Sequence, residues 1–257
     1  METAKSPKVS IIMPAYNASA TIGEAINSVL LQTYTDRELI VVDDCSSDNT
    51  VEIVKALAQK DPRIALHVNR ENMGTAETRN TAVRRAKGEY LAFLDSDDMW
   101  RPDKLEKQLK LIEETGAVIS YTGTAYMNAS GEMSGYTLPA ERKFTYRSLL
   151  RRNIMSCSSV MVRRDAMLPF PRGNMHEDYA LWLQILRKTG CAYGVDEPLL
   201  VYRMAEGSKS AGRLRSGRMT YEAYRNAGYG KVRAVLLMVR YGLHSVAKRR
   251  RIKAVKA

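Results

Sequence analysis

A mixed, mostly parallel α/β sheet with helices on both faces is the fold class this sequence predicts, and two observations carry the prediction. Within about the first hundred residues, four short β-branched runs alternate with stretches of helical periodicity, which is how successive βαβ units read. The runs are nearly continuous in apolar character, as strands covered on both faces require. Length and composition agree, because 257 residues with 45% hydrophobic and 26% charged side chains describe a globular chain able to bury a core.

Residues 9–13 form the first strand, closed by Pro14. Interrupted by Ser10, this run is too short for the apolar segment of a signal peptide and reads as structure. Thr21 with Glu24 three residues on makes a capping box ahead of Ile22, Ala25, Ile26, Val29 and Leu30, which share one helix face. Residues 39–42 give a second strand, residues 43–49 a polar loop, and Val51, Ile53, Val54 and Leu57 a second helix. A third strand over 64–68, a loop over 69–74, a helix over about 75–87 and a fourth strand over 90–94 follow, ending in the polar stop 95–98. Pro102 suits the first turn of a helix carrying Leu105, Leu109 and Ile112. Beyond Gly116 the alternation loosens, with strands expected at 117–121 and 159–162 and a helix at about 178–188, all on the same sheet.

Charge is divided unevenly along the chain. Residues 1–206 carry 26 Lys and Arg against 27 Asp and Glu, whereas residues 207–257 carry 14 against 1. A neutral body with a cationic tail points to an anionic partner at one place, a membrane surface or a nucleic acid. In that tail Val232, Val235, Leu236, Val239, Leu243 and Val246 follow at spacings of 3, 1, 3, 4 and 3, one face of a helix, with Arg233, Arg240 and Lys248 on another. Such a helix is either an interfacial anchor or a helix docked on the protein with a solvated charged side. Elsewhere the longest purely apolar run is 234–239, far below the roughly 20 residues of a membrane span. Cys45, Cys157 and Cys191 form no Cys-x-x-Cys pair, so neither a disulfide framework nor a thiolate metal site is expected and a reducing cytoplasm fits.

Polar groups gather at the carboxyl ends of the predicted strands, where ligands bind in such sheets. Asp95, Asp97 and Asp98 stand within four residues at the end of the fourth strand. Carboxylates so crowded favour Mg²⁺ or Mn²⁺ as a neutralising ion shared with phosphates, although an isolated Asp-x-Asp equally suits the start of a helix. Pro14-Ala15-Tyr16-Asn17 ends the first strand, Asp43-Asp44-Cys45-Ser46 the second, and Asn72-Met73-Gly74 and Arg79-Asn80 surround the start of the third helix. His176-Glu177-Asp178-Tyr179 opens a later helix after the flexible Gly173-Asn174, where Asp178 reads as an N-cap or as a base.

Taken in order, these motifs resemble the inverting family 2 nucleotide-sugar glycosyltransferases of the GT-A fold, most closely those of bacterial surface polysaccharides such as teichuronic acid. The likeness covers residues 9–210 or so. It implies a GT-A domain over 1–206, with a nucleotide-binding half to about residue 115, an acceptor half over 116–206, and the basic helical tail over 207–257. It implies that Pro14 and Tyr16 frame the nucleotide, that Asp44 accepts a hydrogen bond from the base, and that Arg79 lies near base and diphosphate. Uracil offers the imide N–H that an ionised carboxylate needs, as do thymine and guanine, so UDP is the favoured carrier. Asp95 would lie near the ribose, Asp97 would hold Mn²⁺ or Mg²⁺, and Asp178 would be the general base. Glu177, Arg203 and Ser208 would touch acceptor or phosphate. At Ala205 relatives often carry a His, so a third protein ligand is missing there.

The expected activity is metal-dependent, inverting transfer of a sugar from a nucleotide diphosphate to a hydroxyl of a cell-surface glycan precursor. The acceptor would be a glycan or lipid-linked glycan, and the enzyme peripheral on the inner face of the cytoplasmic membrane, held by its tail to anionic lipid. A non-catalytic nucleotide- or nucleic-acid-binding module survives as the alternative only through the basic tail. A dinucleotide-dependent dehydrogenase is disfavoured, since no Gly-x-Gly-x-x-Gly follows the first strand.

Overall fold

The computed structural model describes residues 6–204 and 213–254. Its first half alternates as the periodicity predicts: β1 (Val9–Ala15), α1 (Ile22–Leu30), β2 (Arg37–Asp43), α2 (Thr50–Lys60), β3 (Ile64–Val68), α3 (Thr75–Arg85) and β4 (Tyr90–Phe93). There follow β5 (Met99–Trp100), α4 (Lys104–Thr115), β6 (Ile119–Met127), β7 (Met133–Leu138), β8 (Lys143–Thr145), α5 (Tyr146–Leu149), β9 (Met161–Arg163), α6 (Glu177–Thr189) and β10 (Cys191–Arg203). Two helices close the chain, α7 (Arg213–Asn226) and α8 (Lys231–Ala254).

One sheet holds all these strands, in the order β3-β2-β1-β4-β9-β6-β10-β5, with β7 added to β6 and β8 to β10. Strands β3, β2, β1 and β4 run parallel. Strand β9 lies antiparallel between β4 and β6 and so joins the two halves of the chain into one sheet. Every residue of β1 is buried, and its side chains divide by parity. Ile12 enters the core on one face with Ile40, Val42, Phe93 and Trp182, while Ile11 and Met13 enter the core on the other with Leu39, Val41, Ile26 and Leu105. This two-sided burial is why the strands read as continuous apolar runs.

One local expectation fails. The Thr21 side chain makes no N-cap hydrogen bond, its hydroxyl turning to the Ala18 carbonyl, and Glu24, the other half of the expected box, pairs with Arg203 of β10. The tail is also less separate than its charge suggests. Ala223, Tyr224 and Ala227 of the α7 region and Ala234 of α8 belong to the same core as Trp182 and Phe93. Helix α8 docks through Ala234, Leu237, Met238 and Tyr241, a row offset from the one its spacing suggested. Among the described residues no helix is long and apolar enough to cross a membrane.

Candidate functional site

Strand order reverses at β1, with β2 on one side and β4 on the other, and a cleft of about 500 Å³ opens beyond the carboxyl ends of these strands. Pro14, Tyr16, Asp44, Arg79, Asp95, Asp97, Glu177, Asp178 and Arg203 all line it. Ser208, Ala205 and Lys209 lie outside the described residues.

At the β1 and β2 ends the backbone is turned sharply. Asn17 (φ 48°) and Cys45 (φ 65°) are the non-glycine residues with positive φ in the described chain, conformations that cost energy and gather at ligand sites. Asp43 is fully buried and consumed by its own loop, accepting from the Ser46 N–H (2.9 Å) and hydroxyl (2.5 Å). Asp44 points the other way. Its Oδ1 accepts from Asn69 Nδ2 and the Met73 N–H, both at 2.9 Å, and its Oδ2 from the Gly74 N–H at 2.8 Å. Gly74, at φ 81°, supplies the turn that presents this N–H. Burial alone would raise the Asp44 carboxyl, yet these bonds and one from Thr78 hold it below its ordinary value. The Tyr16 ring, which lines the same cleft, stays 52% exposed.

On the β4 side Arg79 organises the acids. Its side chain is 5% exposed, and it donates through Nη2 to Asp95 (2.5 Å) and through Nη1 to Glu177 (2.9 Å). Sequence separations of 16 and 98 residues close on this one guanidinium. Burial opposes its charge, but the two carboxylates hold its pKa well above the ordinary value. The Phe170 ring lies 5.4 Å from it, and Asn80 fixes Phe170 by bonding both its N–H (2.8 Å) and its carbonyl (3.0 Å). Phe93, Phe170 and Trp182 pack together beneath, with centroids 5.4 to 6.2 Å apart. Aromatic pairs of this kind add about 0.5–1.5 kcal/mol beyond burial, so the acidic strand end rests on a stiff floor.

Asp95 donates its N–H to Ser158 Oγ (3.1 Å), and Ser158 in turn offers its carbonyl to Trp100 Nε1 (2.7 Å). Burial and then the Asp95 charge push Asp97 up to about 6, and burial followed by the Asp97 and Asp95 charges raises Asp98 well above its ordinary value. Asp98 Oδ1 accepts the Arg203 N–H at 3.0 Å. Arg203 itself is a brace: its guanidinium reaches the Asp97 carbonyl (3.1 Å), the Ala129 carbonyl (3.2 Å) and Glu24.

Opposite these acids, α6 begins at Glu177. Asp178 accepts the Tyr179 N–H at 2.7 Å. Its carboxyl is raised by burial and by Glu177, against the pull of Arg79 and His176. His176 contacts the Ser216 hydroxyl through Nε2 at 3.3 Å, so α7 abuts the start of α6, and Met219 of α7 completes the cleft wall.

The acids fit a divalent cation. Asp95 and Asp97 offer hard oxygen donors in a partly dry site, and the raised Asp97 and Asp98 carboxyls record like charges that a cation would relieve. Among the described residues no three His, Cys, Asp or Glu side chains close on one point. The set therefore suits an ion that takes its remaining oxygens from phosphate or water, as Mg²⁺ and Mn²⁺ sites do, rather than an all-protein cage.

Sequence reading missed Ser158, Met219, the Phe170 prop and the Glu24 brace. Each acts only through a partner distant in sequence; Ser158, Met219 and Phe170 sit in no motif, and Glu24 reads from the sequence as part of a helix cap. A Phe between Pro169 and Pro171 was the one available sign that residue 170 is held in place.

Comparison with known proteins agrees with this geometry. The model of the family described as "Glycosyl transferase family 2" matches residues 10–167. The chain is 37% identical over 246 residues to a Bacillus subtilis protein named for teichuronic acid biosynthesis, the glycosyltransferase TuaG, covering 95% of this chain and 98% of that one. It is 38% identical over 213 residues to the Escherichia coli UDP-Glc:alpha-D-GlcNAc-diphosphoundecaprenol beta-1,3-glucosyltransferase WfgD, covering 80% and 81%. Among solved structures, S. aureus TarS 1-349 in complex with UDP-GlcNAc superposes with a TM-score of 0.70 at 21% identity, over 91% of this chain and 71% of that one. The Pyrobaculum calidifontis mannosyltransferase PcManGT, in complex with GDP-Man and Mn²⁺, gives 0.66 at 19%, over 95% and 76%. These two likenesses show the GT-A architecture of the sheet.

Proposed function

The chain belongs to glycosyl transferase family 2, and we propose that it moves a sugar from UDP to a hydroxyl of a surface-polysaccharide precursor with inversion at the anomeric carbon. The observation that carries this reading is the meeting, in one cleft, of the Asp95–Asp97 acids and Asp178, with Arg79 bridging Asp95 to the neighbour of Asp178. An acidic site for the departing diphosphate and a base for the incoming hydroxyl are the two parts a single displacement needs.

In this reading Tyr16 stacks on the base, and Pro14 sets the wall beside it. Asp44 keeps lone-pair capacity for a base N–H beyond the three donors it already holds. Asp97, with Asp95 beside it, would hold Mn²⁺ or Mg²⁺, whose chemistry is to withdraw charge from the leaving diphosphate. Arg79 bridges Asp95 and Glu177. Glu177 thereby orients the first turn of α6, and Asp178, whose raised carboxyl makes it a better proton acceptor than a solvated Asp, takes the hydroxyl proton. Arg203 braces the Asp97–Asp98 turn through the Asp97 carbonyl, with Ala129 and Glu24 on its other nitrogens, and from the cleft wall it would also meet a phosphate. WfgD is named for a diphosphoundecaprenol-linked acceptor, which supports a lipid-linked glycan here and work at the inner face of the cytoplasmic membrane, with the basic tail against anionic lipid.

Asp178→Asn tests the assignment: donor binding by calorimetry should match the parent, while transfer falls roughly 10²-fold or more. Near-normal turnover in the variant, or a product that NMR shows to retain the donor's anomeric configuration, overturns it.

A further inference from the structure

Resting on the reading that the tail meets anionic lipid, we infer that the enzyme is seated on the membrane by one row of α8, Val232, Val235, Leu236, Val239 and Leu243, on the acceptor side of the cleft. Helix α8 has two apolar rows. The inner one is used by the protein: Ala234 is fully buried, Leu237, Met238 and Tyr241 pack on the core, and the Tyr241 ring lies 5.4 Å from that of Tyr179. The outer row is 76%, 44%, 65%, 54% and 71% exposed from Val232 to Leu243. No other element of the described chain exposes more than one large apolar side chain. A continuous stripe of this kind marks an interaction surface.

Charge selects the occupant. Residues 231–254 carry eight Lys and Arg and no Asp or Glu, so a second copy would bring like charge against like charge. A nucleic acid would engage the cations and leave the apolar row in water. A headgroup layer over acyl chains satisfies both, and the helix is not apolar enough to cross it, the combination expected of a helix lying in the interface.

Position supplies the orientation. Helix α8 packs on α7, whose Met219 lines the cleft and whose Ser216 meets His176 beside Asp178. Tyr241 contacts Tyr179, the residue after Asp178, and the Tyr179 hydroxyl is tied to Tyr224 of α7 and the Leu149 carbonyl. The row is therefore carried by the α6–α7 elements beside Asp178, not by the β1 and β2 ends that would hold the nucleobase. A membrane-held acceptor would enter next to its base while the nucleotide exchanges with solution.

The test uses the full chain with Leu236→Asp and Val239→Asp together, sedimented with vesicles of phosphatidylcholine, with and without phosphatidylglycerol. The parent should pellet with the anionic vesicles and the variant should bind them about tenfold more weakly or worse, with its melting midpoint and uridine diphosphate binding unchanged because both side chains are exposed. A variant that pellets like the parent overturns the α8 seat while leaving the membrane reading standing; a parent that does not pellet removes both. A parent that light scattering shows to be a dimer, with a monomeric variant, assigns the row to a second copy and also overturns the inference. So does a variant that unfolds, which would make the row part of the core.

Discussion

Asp97→Asn should stabilise the metal-free protein while removing its response to Mn²⁺, and the size of the gain follows from the site. Burial and the Asp95 charge push the Asp97 carboxyl to about 6, from 3.8. Holding it ionised above pH 6 therefore costs up to about 3 kcal/mol, at 1.36 kcal/mol for each pKa unit. Part of that is shared with Asp98, which feels the Asp97 charge in turn, and the new amide needs a hydrogen-bond partner, so about 1–3 kcal/mol is the net gain expected. For a chain of this length that is roughly 2–6 °C in melting midpoint. The sign is tied to pH. A folded-state value raised above the unfolded one means that parental stability rises as pH falls from about 6 to about 4, so the variant's advantage is full above pH 6 and vanishes near pH 4. Thermal unfolding in EDTA across pH 4–8, repeated with Mn²⁺ and UDP, reads both effects. A variant less stable than the parent at pH 7.5 would refute the crowding argument; one that Mn²⁺ and UDP still stabilise as they do the parent would remove Asp97 from the ion.

Arg79→Met should act in the opposite direction, destabilising by about 2–4 kcal/mol in urea unfolding, because Asp95 and Glu177 lose the buried cation between them. An unchanged midpoint would show that the two acids rehydrate freely. Tyr16→Ala should leave stability within about 0.5 kcal/mol of the parent, its ring being half exposed, yet weaken UDP binding by about 1–3 kcal/mol if the base stacks there; calorimetry showing equal affinity moves the base elsewhere.

The alternation β1-α1-β2-α2-β3-α3-β4 was legible because it is local. Apolar parity within a strand and the 3.6-residue repeat within a helix depend on neighbours a few positions away, and both core faces of the sheet are built from them. The acidic strand end was legible too, since crowded carboxylates are anomalous in any context. Pairing across long stretches of chain was not. Arg79 meets Asp95 and Glu177, Arg203 meets Glu24 across 179 residues, and Ser158 receives the Asp95 N–H. Apart from the Arg79–Asp95 pair, which α3 and β4 make between themselves, each contact exists only because β9 and β10 return beside β4 and β6, and nothing in the spacing of those residues encodes that return. Helix α8 shows the same division on a smaller scale. Its sequence determined a helix with an apolar row and a basic side. Which apolar row faces the protein was decided by Tyr179 and Tyr224, because a helix presents every face to its surroundings and only the partner surface chooses among them.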